Sequence, residues 1–397
     1  MKILIANIGS TSLKYRLFDF SNGQERMLVR GGFDRVTDYS SAINSCLQQL
    51  EANGWIASDH DLSAVGFKPV LAREVTGCVL MDDNVLAAMD RFAFLAPAHN
   101  PPYINGIRLF KRRLPDVPMV GLFETAFYQW MPDAAKHYAI PEHWYKAGLR
   151  RWGFHGASHK FVAERTAELM GRDDIARRVK DLYVNNGSTP IQRPDLRVIS
   201  CHLGGSSSVT GILNGLAIGS SMGLSPQSGL PQNNRVGDLD AFAVPFIVRE
   251  LGVNIDDASR LMCKESGLKG LSGGLNDMRD ILAAIEQGNT SAQLAFDVYI
   301  WSIRHWLGAF LVLLNGVDAI AFTGGIGENN PLIRKRVCSG LEELGIQVCE
   351  EVNSRTMAEE ALLSSTESRV KIFLIPANEE LVVAREVKRF LEVQKLR

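Results

Sequence analysis

The sequence predicts an α/β protein of two domains with a duplicated core, and three observations predict it. The chain has 397 residues, more than one core comfortably holds. A strand–turn–strand unit opens it at 2–20 ("KILIANIGSTSLKYRLFDF"), and a second, "RVISCHLGGSSSVTGILNG", lies at 197–215. A third glycine-rich turn, "AIAFTGGIGENNP" at 319–331, follows an apolar strand and opens a helix. Two similar units, one early and one central, point to related α/β halves with a cleft between them.

Each element has its own reason. Ile3, Leu4 and Ile5 form an apolar run, and Leu13, Tyr15 and Leu17 alternate with Lys14 and Arg16, as in a strand with one buried face. Between them, Asn7 to Ser12 reads either as an ordinary hairpin or as a phosphate cradle of N–H groups and hydroxyls beside Lys14. The segments 95–105 and 222–237, punctuated by Pro and Gly, read as cleft loops. The polar stretch 172–196 reads as a surface insertion, and 306–314 ("WLGAFLVLL") as a buried helix too short to span a membrane. After an apolar strand at 318–322, Asn330 caps a helix with Pro331 in its first position, and Ile333, Val337, Leu341 and Leu344 follow at helical spacing. A last helix over 377–397 has one apolar face of Leu381, Val382, Ala384, Val387, Phe390 and Leu391.

Composition excludes several classes. Net charge is −1 without a basic stripe, so neither a nucleic-acid nor an anionic-membrane partner is expected. The N-terminus runs straight into a strand, so no secretory leader is expected. Six scattered cysteines without a CxxC pair suit reduced thiols and a cytoplasmic location.

Nine segments occur in one order: "NIGSTSLKYRLFD", "LAPAHNPP", "FETAFYQWMP", "RRWGFHGASHK", "CHLGG", "SMGLSP", "GLNDMRD", "FTGGIGENN" and "IPANEEL". With them the chain resembles the acetate/propionate kinase family over nearly its whole length. The resemblance implies a two-domain actin-like ATPase fold of the sugar kinase/Hsp70/actin superfamily, with a duplicated ribonuclease H-like core. It implies an N-terminal acyl-kinase domain at 1–125 plus 379–397, and a C-terminal nucleotide-binding and dimerisation domain at 126–378. It also implies a homodimer through the C-terminal domains, and reversible, direct in-line transfer of phosphoryl from ATP to a short-chain carboxylate, acetate or propionate. The cradle reading of the first turn gains from it.

Such a reaction needs no base, because a carboxylate is already ionised at neutral pH. Positioning, Mg²⁺ and cationic or N–H donors must overcome charge repulsion. The resemblance implies that Arg235 holds the carboxylate and the transferring phosphoryl, for which a guanidinium fork is suited. It makes His155 the donor to the transition state, with His159 and His202 in support. Asn7 and Glu379 become the residues at Mg²⁺ (or Mn²⁺), an ion that takes hard oxygen ligands. The nucleotide, ATP or ADP, falls to Ser10, Ser12 and Lys14, to His202, Gly204, Gly205 and Ser206, and to Asp277, Met278, Arg279, Gly325, Ile326, Gly327, Glu328 and Asn329. The small acid falls to Lys68, Val70, Ala98, His99, Phe154, Pro226 and Arg235, with Glu124 and Lys68 in the catalytic set.

Four departures stand out. "GFKPVLARE" (66–74) has Lys68 where the family has an arginine, which keeps the charge and loses the bidentate fork; Arg73 lies in the same segment. Glu124 replaces an aspartate, Gly205 replaces an asparagine of the phosphate-binding turn, and Ala98 replaces a leucine of the alkyl pocket. The alternative is a catalytically impaired nucleotide-binding relative that acts through domain closure or a partner. A sugar kinase would instead need an aspartate base for a hydroxyl acceptor.

Overall fold

The opening run builds strand β1 (Lys2–Ile8), and β2 (Ser12–Asp19) returns antiparallel beside it in the computed structural model, which describes residues 1–395. The chain divides into two compact units. The first comprises Met1–Gln129, Gly156–Phe161 and Asn378–Arg397, and the second Trp130–His155 and Val162–Ala377.

In the first unit, β3 (Arg26–Asp34), β4 (Leu62–Phe67), β5 (Cys78–Leu80) and β6 (Met119–Leu122) complete a sheet of order β3-β2-β1-β4-β6-β5. β1, β4 and β6 run parallel, and β2, β3 and β5 pair antiparallel to their neighbours. The central strands are apolar on both sides because both faces are covered. Leu4, Ala6 and Ile8 join Ile43, Leu47, Ile107 and Phe110 in one core. On the other face the helix Glu379–Lys395 lies so close to Gly66 that a Cβ there would meet Ile5 Cδ1 at 2.5 Å and Val387 Cγ2 at 3.1 Å.

The second unit repeats the plan. β7 (Arg197–Leu203), β8 (Ser207–Leu213), β9 (Leu216–Ser220), β10 (Ala319–Thr323), β11 (Ala361–Leu362) and β12 (Lys371–Leu374) form a sheet of order β11-β12-β10-β7-β8-β9. Read from β9, it has the same three antiparallel strands, two further parallel strands and antiparallel edge as the first sheet. The duplicated α/β core expected from the two strand–turn–strand units is therefore present. Asn214 and Gly215, both at positive φ, close the β8–β9 hairpin.

Several local expectations change. The segment 95–105 is not wholly loop, because a helix starts at Asn100 with prolines in its first turn, where their missing N–H groups are not needed. The segment 172–196 is more than a surface insertion: Asp173–Lys180 is helical and buries Ile175, Ala176 and Val179. The run 306–314 belongs to the helix Thr290–Leu313, which is not buried all round, since Trp301 and Val312 are 74% and 80% exposed. The residues Gly324–Asn329 are themselves a helical turn rather than an open loop. The helix capped by Asn330 ends at Cys338, ahead of Gly340 at φ +69°, so Leu341 and Leu344 lie beyond it. The last helix also buries Val383 and Glu386, and residues 396 and 397 of the expected 379–397 segment lie outside the described residues. All six cysteines are free. Among the described residues no helix is long and apolar enough to cross a membrane.

Glu386 accepts an ion pair from Lys160 at 3.2 Å, with the two side chains 2% and 1% exposed, and Arg389 donates to it at 2.9 Å. This network fixes the last helix within the first unit, and with it Glu379 two turns earlier. Breaking such a pair from one side strands a buried charge. Glu386→Leu should therefore lower stability by about 3 kcal/mol or more, and Lys160→Met in the same chain should recover part of it. Urea unfolding of the two variants checks this.

Candidate active site

In the first unit three predicted residues meet. Lys68 follows β4, Glu124 follows β6, and Glu379 is the first residue of the last helix. Lys68 Nζ pairs with Glu124 Oε1 at 3.0 Å and donates to Glu379 Oε2. Glu124 N also donates to Pro69 O at 2.9 Å, which ties the two segments together. One cation thus serves two carboxylates, and Glu124 Oε2 is buried without a hydrogen-bond partner. Burial pushes the Glu124 carboxyl above the usual range; Lys68 opposes this and Glu379 adds to it. Burial alone would pull Lys68 down, but the charges of Glu124 and Glu379 hold its ammonium well above the ordinary lysine value.

The fit to Mg²⁺ can be judged from the same cluster. Two carboxylates on one ammonium leave a net negative charge and an unpartnered oxygen, a hard-oxygen set that suits this ion. Asn7, at the end of β1, accepts from Tyr103 Oη at 2.9 Å through Oδ1. No group of three or more His, Cys, Asp or Glu side chains gathers into a cage among the described residues. Mg²⁺ usually keeps several waters and uses one or two carboxylates plus phosphate, so the residues fit it.

The first turn is a tight hairpin in which Gly9 N donates to Ser12 O at 2.9 Å. Ser10 is exposed, Ser12 half-buried, and Lys14 lies opposite Asn7 across the β1–β2 pair. Val70 is buried and Ala98 exposed, while the buried Asn100 donates to Leu71 O and Met89 O at 2.9 and 2.8 Å. That clamp holds the Ala98–His99 segment to the strand-end segment carrying Val70. Arg73 Nε pairs with the neighbouring Glu74 at 3.1 Å. The buried His159 ring meets Tyr128 edge-on, with centroids 6.4 Å apart.

In the second unit the turn between β7 and β8 is locked by Ser207, whose hydroxyl donates to Gly204 O at 2.9 Å and shares a bond of 2.9 Å with Tyr299 Oη. Ser206 Oγ donates to Gln232 Oε1 at 2.7 Å and accepts from Arg235 at 3.3 Å. Arg235 also donates to Gln232 Oε1 at 3.1 Å and Pro226 O at 3.3 Å, so neutral oxygens aim its guanidinium, and burial pulls it below the usual arginine value. His155, at φ +59°, shares a 2.8 Å bond with Ser208 Oγ through Nδ1, and its ring lies 4.3 Å from that of His202. Phe154 and Pro226 are buried.

The remaining predicted residues make strong local bonds. Asp277 caps the helix Met278–Glu286 by accepting from Arg279 N, and its carboxylate pairs with the Arg279 side chain, which holds its pKa down to about 2. Met278 is buried in the second core. Glu328 Oε1 accepts from Gly324 N and Ala377 N, both at 2.9 Å, and Asn329 Nδ2 donates to Gly325 O at 2.9 Å. Gly327 is buried, while Gly325 is exposed and Ile326 half-buried.

Sequence reasoning missed Tyr103, Asn100, Ser208 and Gln232. All four lie in segments already singled out, Asn100 and Tyr103 in 95–105, Ser208 in 197–215 and Gln232 in 222–237, but their partners are set by tertiary contacts.

The model of the Acetokinase family matches residues 33–385. The chain belongs to the acetokinase family. It is similar to acetate kinase of Clostridium novyi, with 38% identity over 421 aligned positions covering 100% of both chains. Among solved structures it is similar to acetate kinase of Porphyromonas gingivalis, at 31% identity and TM-score 0.84, with 98% of this chain and 99% of that one covered. It is also similar to a propionate kinase of Francisella tularensis, at 30% identity and TM-score 0.82, with 97% and 98% covered. The two α/β units expected from the acetokinase resemblance are thus those of a fold shared with solved acetate and propionate kinases.

The Glu124 carboxyl gives a pH test. A carboxyl whose folded pKa exceeds its unfolded value favours the protonated form, so its stability contribution is lost as pH rises through that interval. Glu124→Gln is neutral at every pH and leaves Lys68 its partner Glu379. It should raise Tm near pH 8, above the interval, and the gain should vanish below about pH 4, where the native carboxyl is protonated in both states. Thermal unfolding of both proteins across that range, in metal-free buffer, checks this.

Proposed function

We propose that the chain transfers the γ-phosphoryl of ATP, reversibly and in line, to a short-chain carboxylate, acetate or propionate. Membership of the acetokinase family over the full length supports this reading. The single observation that carries it is the seat of Arg235: the guanidinium proposed to hold the acid donates to Ser206 Oγ of the turn proposed to hold the nucleotide's phosphates.

The roles follow from chemistry. The acceptor is already an anion, so its approach to phosphate is opposed by charge. Arg235 and Lys68 supply positive charge to the carboxylate and the phosphoryl group. His155, its ring oriented by Ser208, donates to a phosphoryl oxygen. For the nucleotide, the proposed donors are the N–H, hydroxyl and ammonium groups of Ser10, Ser12, Lys14, Gly204, Gly205 and Ser206. Glu379 and Asn7 would hold Mg²⁺ (or Mn²⁺), whose charge would offset that of the β- and γ-phosphate oxygens. Ala98, with its short side chain, leaves room for a methylene, which is worth only about 1–3 kcal/mol and broadens preference rather than switching it. The proposed place of action is the cytoplasm.

A homodimer through the second unit completes the proposal. Phe242, Trp301 and Val312 are 81%, 74% and 80% exposed, and Leu251, Ile255, Leu294 and Leu313 add to this apolar surface. So many large apolar side chains exposed in one unit favour a covering partner.

Three measurements test the reading. Trapping of acyl phosphate as hydroxamate, with ATP, Mg²⁺ and a panel of acetate, propionate and butyrate, should give product. Nucleotide binding without product would point to the impaired relative instead. Arg235→Ala should lose about 10²–10³ in rate, the worth of one preorganised donor, with nucleotide affinity nearly unchanged. Sedimentation at micromolar concentration should show a dimer, and a monomer would overturn the assembly.

A further inference from the structure

The turn between β7 and β8 contains a glycine that its backbone does not require. Gly205 is not among the residues at positive φ, so any side chain satisfies its conformation. Space is what a side chain there would contest. A Cβ at 205 would lie 3.2 Å from Asn233 Nδ2 and 3.6 Å from Asn233 Cγ. The carboxamide of Asn233 therefore occupies the volume over the turn that a side chain at 205 would take. This is the position at which the sequence lacks an asparagine expected from the family resemblance.

Backbone contacts fix the carboxamide there. Asn233 N donates to Gly205 O at 3.2 Å, and Asn233 O accepts from Lys269 N at 2.9 Å. On either side, Gln232 and Arg235 both bond to Ser206 Oγ of the same turn. The carboxamide makes no hydrogen bond among the described residues: the acceptor Oδ1 is buried, while the donor Nδ2 lies on the side of the turn. Nδ2 is the Asn233 atom nearest the empty Cβ position of Gly205, and, unlike Oδ1, it is not shut away from solvent, so its N–H groups are open to an oxyanion seated on this turn.

Resting on the reading of this turn as a nucleotide phosphate cradle, we propose that Asn233 donates its Nδ2–H to a phosphate oxygen of bound ATP or ADP, replacing from the neighbouring loop the side chain that residue 205 lacks. A neutral donor is apt here. It adds a directional contact to phosphate while Arg235 carries the charge.

The test uses the full chain and reads ADP affinity by calorimetry alongside KM for ATP and for acetate. Asn233→Gly should weaken ADP binding about tenfold or more, the worth of a hydrogen bond to a charged group, and leave KM for acetate within about twofold. Asn233→Asp is isosteric, so it keeps the packing and adds a negative charge; it should bind ADP more weakly still. Gly205→Asn alone should also weaken binding, because it crowds Asn233. Combined with Asn233→Gly, it should restore affinity to within about threefold of wild type, the non-additivity expected of two residues sharing one site. Thermal unfolding confirms that each variant is folded.

Wild-type ADP affinity in both Asn233→Gly and Asn233→Asp would overturn the proposal. So would a double variant that binds no better than Asn233→Gly. A wild-type chain that binds ADP and forms no acyl phosphate would overturn the proposed reaction and leave the Asn233 assignment readable from binding alone.

Discussion

Lys68 is shared by Glu124 and Glu379, and the candidate site residues of the first unit depend on that arrangement. The three residues come from the end of β4, the end of β6 and the start of the last helix. Their convergence needs parallel β4 and β6 side by side and the helix across the sheet, which Gly66 permits by having no side chain. The imbalance of charge gives the cluster its chemistry. One ammonium neutralises one carboxylate, and the second remains available to a divalent cation. An arginine in place of Lys68 would bridge both acids with a fork; the lysine does so with a point charge.

The second unit handles anions differently. Arg235 donates to the Ser206 and Gln232 side chains and to the Pro226 carbonyl, all of them neutral oxygens. Neutral acceptors orient a guanidinium without cancelling its charge, so the field it presents to a carboxylate or phosphate is not lost. Gln232 is the pivot, because its Oε1 receives both Ser206 and Arg235 and its Nε2 donates to Pro226 O at 2.7 Å. The same sheet plan thus carries an acidic cluster with a lysine in one copy and an arginine held by neutral oxygens in the other.

Much of this was legible in the sequence, for a physical reason. Strand alternation at Leu13, Tyr15 and Leu17 and the Asn330–Pro331 cap are local signals, and both unit-opening hairpins form as expected. Site residues were legible only through family resemblance, since Lys68 and Glu379 stand 311 positions apart and no local pattern links them. What escaped were partners whose bonds reach across the fold, even where they sit inside the segments singled out. Asn100, Ser208 and Tyr103 act through tertiary contacts, and the exposed face of the helix Thr290–Leu313 carries Leu294, Trp301, Val312 and Leu313, which read in sequence like buried residues. The end of the helix after Pro331 was missed because the apolar spacing continues past Gly340, where the backbone turns left-handed.

The central claim is that phosphoryl passes directly from nucleotide to carboxylate, with the chain's cations and donors placing both and none of its side chains carrying the group. Rapid mixing with γ-labelled ATP, Mg²⁺ and acetate, followed by acid quench and separation of protein from small molecules, tests it most directly. The account predicts label in acyl phosphate from the first turnover and none on the protein. Label that appears first on the protein, at Glu124, Glu379 or His155, and only later on the acid would contradict it.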